Sequence, residues 1–382
     1  MPTTHHRPLR AAAMLAAGLA IGAPLAGCQK IQELTGTGTV AGAATGGGNP
    51  ANVTAARTDP EMAQVINALA ALGAQPIGKL SVEQARRQPS PADAVRRVQA
   101  ERGQSTAPRP VAQVRDLTIP GAGGPIPARL YNPAPGAAAL PMIVYYHGGG
   151  FVIADLDTYD SSARALAAET GAIVLSADYR HAPEHKFPAA HEDALTAYRY
   201  AVTNARRLGA DPSRIALAGE SAGGNLAIAT AIAARDPRLP PPVHMALIYP
   251  VAGTDTNTPS YIQNSMAVPL SRAGMLWFVD KATRSSADLR DPRLNILGAE
   301  LRGLPPATIV NAEIDPLRSE GETLAERLRA VGVPVEQRTY MGVTHEFFGM
   351  APPVADATAA QTLVANRLKE AFRGGRTPVA SR

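Results

Sequence analysis

Three residues far apart in the chain have the types and the positions to carry acyl-transfer chemistry. Ser221 lies in Gly219-Glu220-Ser221-Ala222-Gly223, between the apolar run Ile215-Ala216-Leu217-Ala218 and the small apolar stretch Asn225-Leu226-Ala227-Ile228. The first run reads as a buried strand and the second as a buried helix, so G-x-S-x-G sits on a strand-to-helix turn. Glycine two residues before and after the serine relieves collisions that side chains would make in so sharp a turn. A serine hydroxyl is a weak nucleophile until a base takes its proton, and a third group must orient that base. Asp315 follows the strand read over Ala307–Ala312, and His345 follows the last strand. Each has a plainer reading: a structural glycine turn, a helix cap before Pro316, a loop histidine. The order serine, acid, histidine at three strand ends makes coincidence a poor explanation.

An oxyanion formed at the acyl carbon needs backbone N–H donors already aimed at it. Ala222, next after the serine, offers one amide. His147-Gly148-Gly149-Gly150-Phe151 ends the buried strand Met142–Tyr146 and offers others, because glycine lets the backbone approach a ligand. Glu313 competes with Asp315 for the acid, but it falls within the strand end, whereas the acid is needed on the loop beyond. Asp178, Tyr179 and Arg180 read as a structural ion-pair and hydrogen-bond cluster. Lys186 and His191 read as surface or helix-start residues.

These positions need a sheet to hold them. Asp59-Pro60-Glu61 opens a helical stripe of Met62, Val65, Ile66, Leu69 and Leu72, and helices are expected over 81–88 and 91–102. Val111–Ile119 and Ile126–Tyr131 read as a hairpin. Strands at Met142–Tyr146, Ala172–Ala177, Ile215–Ala218, Met245–Tyr249, Ala307–Ala312 and Val335–Thr339 then alternate with helices at Ser161–Thr170, Ala189–Leu208, after Ser221, and at Ser319–Val331. That alternation predicts a mainly parallel central sheet with helices on both faces. The interval 253–303 breaks the rhythm and reads as a helical insertion above the sheet. Its Met275, Trp277 and Phe278 suit an acyl pocket or the insertion's own core equally well.

HGGGF at 147–151, YRHAPEHKFPAA at 179–190, GESAGG at 219–224, DPLRSEG at 315–321 and GVTHEF at 342–347 resemble the hormone-sensitive lipase family of carboxylesterases, bacterial lipolytic family IV, over roughly residues 59–375. The resemblance implies an α/β-hydrolase fold with a helical cap from about 59–105 and 253–303. It implies Ser221, Asp315 and His345 as the triad, Gly149, Gly150 and Ala222 as oxyanion donors with Gly148 helping the turn, and no cofactor. The expected reaction is hydrolysis of short to medium acyl esters through an acyl-serine. The same triad would also serve an amidase or polysaccharide deacetylase, and a non-catalytic, lipid-anchored binding module is the reading outside enzymes. Glu220 stands where Asp is commoner, Ala154 where Gly is frequent, His181 where an apolar residue is usual, and Ser319 where an acid is frequent. None of the four removes a catalytic atom.

The bulk properties fit one large α/β domain: 382 residues, 45% of them hydrophobic. The formal charge is +5, and no basic block with interleaved aromatics supports nucleic-acid binding. The single cysteine, Cys28, excludes an internal disulfide, and no histidine falls at a zinc-motif spacing, so no metal is expected. Residues 1–27 read as a signal peptide, with Arg7 and Arg10 before an apolar segment too short to favour spanning a membrane. Leu25-Ala26-Gly27-Cys28 resembles the lipobox of bacterial lipoproteins, which implies lipidation at Cys28 and a membrane anchor in the cell envelope. Gln29 after the cysteine points to the outer membrane. Residues 28–58, rich in Gly, Thr and Ala, read as lipidated cysteine and flexible tether, 59–375 as the hydrolase domain and 376–382 as a tail. The partner expected is a small acyl ester, with a homo-oligomer left open.

Overall fold

The structure, a computed structural model, describes residues 50–137 and 139–374. The Cys28 motif, the signal segment and the tail therefore lie outside the described residues. Four helices come first: α1 (Pro50–Ala55), α2 (Pro60–Ala71), α3 (Val82–Arg87) and α4 (Pro91–Glu101). Serines cap α3 and α4, each in a reciprocal box in which Ser81 faces Gln84 and Ser90 faces Asp93. α2 buries the expected stripe of Met62, Val65, Ile66 and Leu69. α1 corrects the tether's boundary. Ala51 and Thr54 are buried, and the Thr54 hydroxyl donates to Pro50 O and accepts from Val268 N. A six-residue helix repeats no apolar period, so only its tertiary docking marks it.

Eight strands then form one sheet among the described residues, in the order β1-β2-β4-β3-β5-β6-β7-β8: β1 (Gln113–Gly121), β2 (Gly124–Asn132), β3 (Leu140–Tyr146), β4 (Ile173–Ala177), β5 (Ala210–Glu220), β6 (Met245–Ile248), β7 (Ala307–Ile314) and β8 (Val335–Thr344). β1 and β2 make the expected antiparallel hairpin and β2 joins β4 antiparallel, while every pair from β4 onward is parallel. The helices between and after the strands are α5 (Asp160–Thr170), α6 (Ala189–Asn204), α7 (Ala222–Ala233), α8 (Pro259–Gln263), α9 (Arg272–Ala282), α10 (Arg318–Ala330) and α11 (Ala355–Gly374).

Alternation along the strands divides the core between two faces. Val144, Leu217, Leu247 and Ile309 pack with Tyr198 of α6, Leu226 of α7 and Leu324 of α10. Ile143, Ala218, Ile248 and Val310 pack on the other side with Leu166 of α5, Val364 and Leu368 of α11, and the stripe of α2. Helices thus cover both faces, as the strand–helix alternation predicts. After β3 the chain moves to β4 on one side, then returns to lay β5 on the other. Crevices at such a reversal of strand order, outside the carboxyl ends of the strands, are where α/β sheets bind ligands.

Candidate active site

The last residue of β5 is Glu220, and Ser221 occupies the turn before α7 with φ +55° and ψ −117°. Few side-chain-bearing residues adopt such a backbone, and the strain lifts the hydroxyl out of the strand. The flanking glycines have specific causes. A Cβ on Gly219 would overlap the Gly223 carbonyl, and one on Gly223 would overlap the carbonyls of Tyr146 and His147 at the end of β3. Ser221 is only 5% exposed, and α7 behind it is apolar and buried almost throughout.

His345 follows the last residue of β8, and Asp315 follows the last residue of the neighbouring parallel strand β7. Their meeting is therefore a result of strand pairing. His345 Nε2 lies 3.0 Å from Ser221 Oγ, and Nδ1 lies 2.7 Å from Asp315 Oδ2. Asp315 Oδ1 accepts from Leu317 N at 2.9 Å, which fixes the carboxylate and requires Nδ1 of the histidine to carry the proton. Nε2 is then left with a lone pair facing the serine. Glu313 points elsewhere: its carboxylate accepts from Gly342 N at 2.8 Å. Burial lowers the affinity of His345 for a proton, but the Asp315 carboxylate, with Glu346 and Glu220 further out, more than offsets it. The imidazole therefore titrates above its ordinary value of 6.5.

Gly149 and Gly150 border the same cavity as Ser221 and His345, and Ala222 is the first residue of α7. Gly149 and Gly150 have φ of +94° and +60°. A Cβ on Gly149 would meet the Ile153 carbonyl, and one on Gly150 the ring of Phe278, so the loop has no room for side chains. Ala154 has φ +70°, a left-handed backbone that favours glycine. The cavity holds about 1370 Å³ and is bordered by residues of both 50–96 and 251–294. Met275 and Phe278 line it, whereas the indole of Trp277 donates to Leu80 O at 3.0 Å and joins the two helical segments. Two of the three apolar candidates thus face the cavity and the third is a seam.

Several neighbours have roles that no motif assigns. Glu220 is fully buried and accepts from the hydroxyls of Tyr145, at 2.6 Å, and Tyr249. Burial, with help from Glu346, pushes its carboxyl up to about 7. The ring of Tyr249 lies 4.6 Å from that of His345. Glu346, at φ +73°, accepts from Tyr159 at 2.6 Å and sits 3.7 Å from His345 Nε2, and burial raises its pKa. Glu346 adjoins the histidine in sequence, but only its left-handed backbone turns the carboxylate back to the ring.

Three supporting residues differ from expectation. Arg180 pairs with Asp193, at 2.8 Å, and Glu192, not with Asp178, which turns to His147. His191 is at a helix start but buried, its Nε2 2.9 Å from Asn225 Oδ1, because α6 packs that face on α7. The Lys186 ammonium donates to the carbonyls of Asp280 and Thr283 and so caps the end of α9.

A family model described as the alpha/beta hydrolase fold matches residues 143–349. "Carboxylesterase NlhH" of Mycobacterium tuberculosis is 44% identical over 240 residues, covering 61% of this chain and 75% of the relative. "Esterase LipI" of the same organism is 43% identical over 256 residues, covering 66% and 80%. Among solved structures, the hyperthermophilic esterase of the archaeon Pyrobaculum calidifontis superposes with a TM-score of 0.74 at 38% identity, over 82% of this chain and 98% of its own.

Proposed function

As a member of the hormone-sensitive lipase family of α/β-hydrolases, this chain is a carboxylic ester hydrolase, and we propose that Ser221, His345 and Asp315 carry its reaction. The observation behind this is the unbroken line from Asp315 Oδ2 through both nitrogens of His345 to Ser221 Oγ. Neutral His345 takes the serine proton on Nε2 as Oγ attacks the acyl carbon, while Asp315 stabilises the imidazolium. The oxyanion develops beside the amides of Gly149, Gly150 and Ala222. On collapse, Nε2 returns the proton to the departing alcohol oxygen and leaves an acyl-serine. Water then repeats the cycle, giving its proton to Nε2 and releasing the acid. The apolar lining from Met275, Phe278, Leu270 and Leu294 supports short to medium acyl chains as the favoured substrates.

Hydrolysis of p-nitrophenyl acetate, butyrate, octanoate and palmitate by wild type and Ser221→Ala tests the assignment. The variant is expected to lose at least about a thousandfold in kcat/KM on every ester that wild type cleaves. Equal rates for the two proteins would remove Ser221 from the mechanism. We also propose that the domain is tethered to the outer membrane through lipidated Cys28, a reading that rests on Leu25-Ala26-Gly27-Cys28 and Gln29 alone. Cys28→Ala should abolish labelling by palmitate and release the protein from the membrane fraction. Retention of both would show that the cysteine is not the anchor.

A further inference from the structure

The strand pairing that assembles the triad also builds a second cluster. β3 and β4 are parallel with Tyr146 opposite Ala177, so the next residues, His147 and Asp178, leave the sheet side by side. His181 comes three residues later. His147 Nε2 is 3.2 Å from Asp178 Oδ1, and His181 Nε2 is 3.6 Å from the same oxygen. Asp178 and His181 line the cavity that holds Ser221, and His147 is wholly buried behind them.

Hydrogen-bond accounting leaves this cluster incomplete. His147 Nδ1 lies 2.8 Å from the Gly148 carbonyl oxygen, which can only accept, so the ring's proton belongs on Nδ1. Nε2 of the neutral ring then presents a lone pair to a carboxylate oxygen, and two acceptors at 3.2 Å repel unless positive charge lies between them. His181 Nε2 is buried with no hydrogen-bond partner among the described residues. Tyr179, stacked 4.5 Å from the His147 ring and donating to the carbonyls of His147 and Gly148, holds the first ligand in orientation.

We propose that His147 Nε2, Asp178 Oδ1 and His181 Nε2 form a site for a divalent transition-metal cation of the zinc class, with its open position toward the cavity. One potential ligand atom from each of the three side chains lies within 4.8 Å of the other two. Ligands about 2.0–2.2 Å from a tetrahedral zinc stand roughly 3.3–3.5 Å apart. The two measured separations, 3.2 and 3.6 Å, bracket that edge. Two imidazoles with one carboxylate select zinc, cobalt or nickel over the all-oxygen shells of calcium and magnesium. The bond from Nδ1–H to the Gly148 carbonyl is the outer contact that commonly orients a metal-bound imidazole. No spacing in the sequence signals the site, since the ligands come from two strand ends. The proposal is independent of the ester-hydrolase reading.

The test is calorimetric titration of the chelator-treated full chain with Zn²⁺, with Co²⁺ absorption as a second readout, on wild type, His181→Leu and Asp178→Asn. Leucine at position 181 removes the ligand atom while keeping an apolar side chain of similar bulk, and circular dichroism checks folding. Wild type is expected to bind one Zn²⁺ that each variant holds at least about a hundredfold more weakly. Its Co²⁺ complex should show an intense visible band that both variants lose, and Zn²⁺ should raise the melting temperature of wild type only. Absence of binding by wild type would assign the charge between His147 and Asp178 to a second imidazole proton and overturn the proposal. Equal binding by all three proteins would place the cation elsewhere, for instance at His5 and His6, and would overturn it too.

Discussion

His345 is bracketed by carboxylates: Asp315 at 2.7 Å from Nδ1 and Glu346 at 3.7 Å from Nε2. Both raise its pKa, so the acid limb of the rate profile should lie above 6.5, because only the neutral ring accepts the serine proton. Glu346→Gln removes one of the two charges and keeps an acceptor for Tyr159. The limb should then move to lower pH by roughly half to one unit, with kcat at pH 8 changed less than about threefold. An unmoved limb in a pH–kcat/KM series would show that the histidine does not sense Glu346. At this scale the sequence exposed what chain order and motif can carry. Ser221, Asp315 and His345 are legible because each ends a strand, and Asp315 rather than Glu313 because a bridging acid must lie past the strand, where its carboxylate can turn to the neighbouring loop. Glu346, Tyr145 and Tyr249 are not legible, since their roles depend on a left-handed φ and on cross-strand neighbours.

At the level of elements, the strand-to-helix turn is over-determined by sterics. Gly223→Ala would drive a Cβ into the backbone carbonyls of Tyr146 and His147, with no flexible side chain to move aside. A loss of about 3 kcal/mol or more in unfolding free energy is expected, together with loss of esterase activity. Gly73→Ala is the control. Gly73 has φ +89° but open space around it, so the cost should be about 1 kcal/mol with activity retained. Urea unfolding of the pair separates overlap from backbone strain, and equal losses would refute the steric account. Elements with a repeated apolar period were readable from sequence, including α2 and the β1–β2 hairpin. α11 carries the same signal, since Ala357, Ala360, Val364, Leu368 and Phe372 follow the helical repeat. α1 offered no such repeat, being a single turn and a half held by docking.

Across the molecule, the buried Glu220 couples the site to stability. Its folded pKa of about 7 exceeds the ordinary 4.5, so between those values the folded state holds the proton that the unfolded state releases. Stability from this group is full below about pH 4.5 and declines as pH rises to 7, by up to about 3 kcal/mol. Glu220→Gln should flatten the dependence: urea midpoints at pH 5 and 8 should differ less in the variant than in wild type. An unchanged difference would mean that Glu220 is ionised throughout. The two-faced sheet was legible from alternation, but the joining of the first helices to the insertion was not, because it rests on contacts such as Trp277 to Leu80 and Arg57 to Asn264 across some 200 residues.

That long-range joinery sets an order of assembly. The apolar stripe of α2 is among the first parts of the domain to leave the ribosome; it packs on α1 and α4, which emerge close beside it, and shares its buried cluster with Val343, Phe347 and Phe348, with Asp59 N bonded to Gly342 O. Only part of the cover over Met62, Val65, Ile66 and Leu69 therefore waits for the end of the chain, but the triad cannot assemble until the strand that delivers His345 is complete. A nascent chain built this way stays catalytically silent until nearly its last helix.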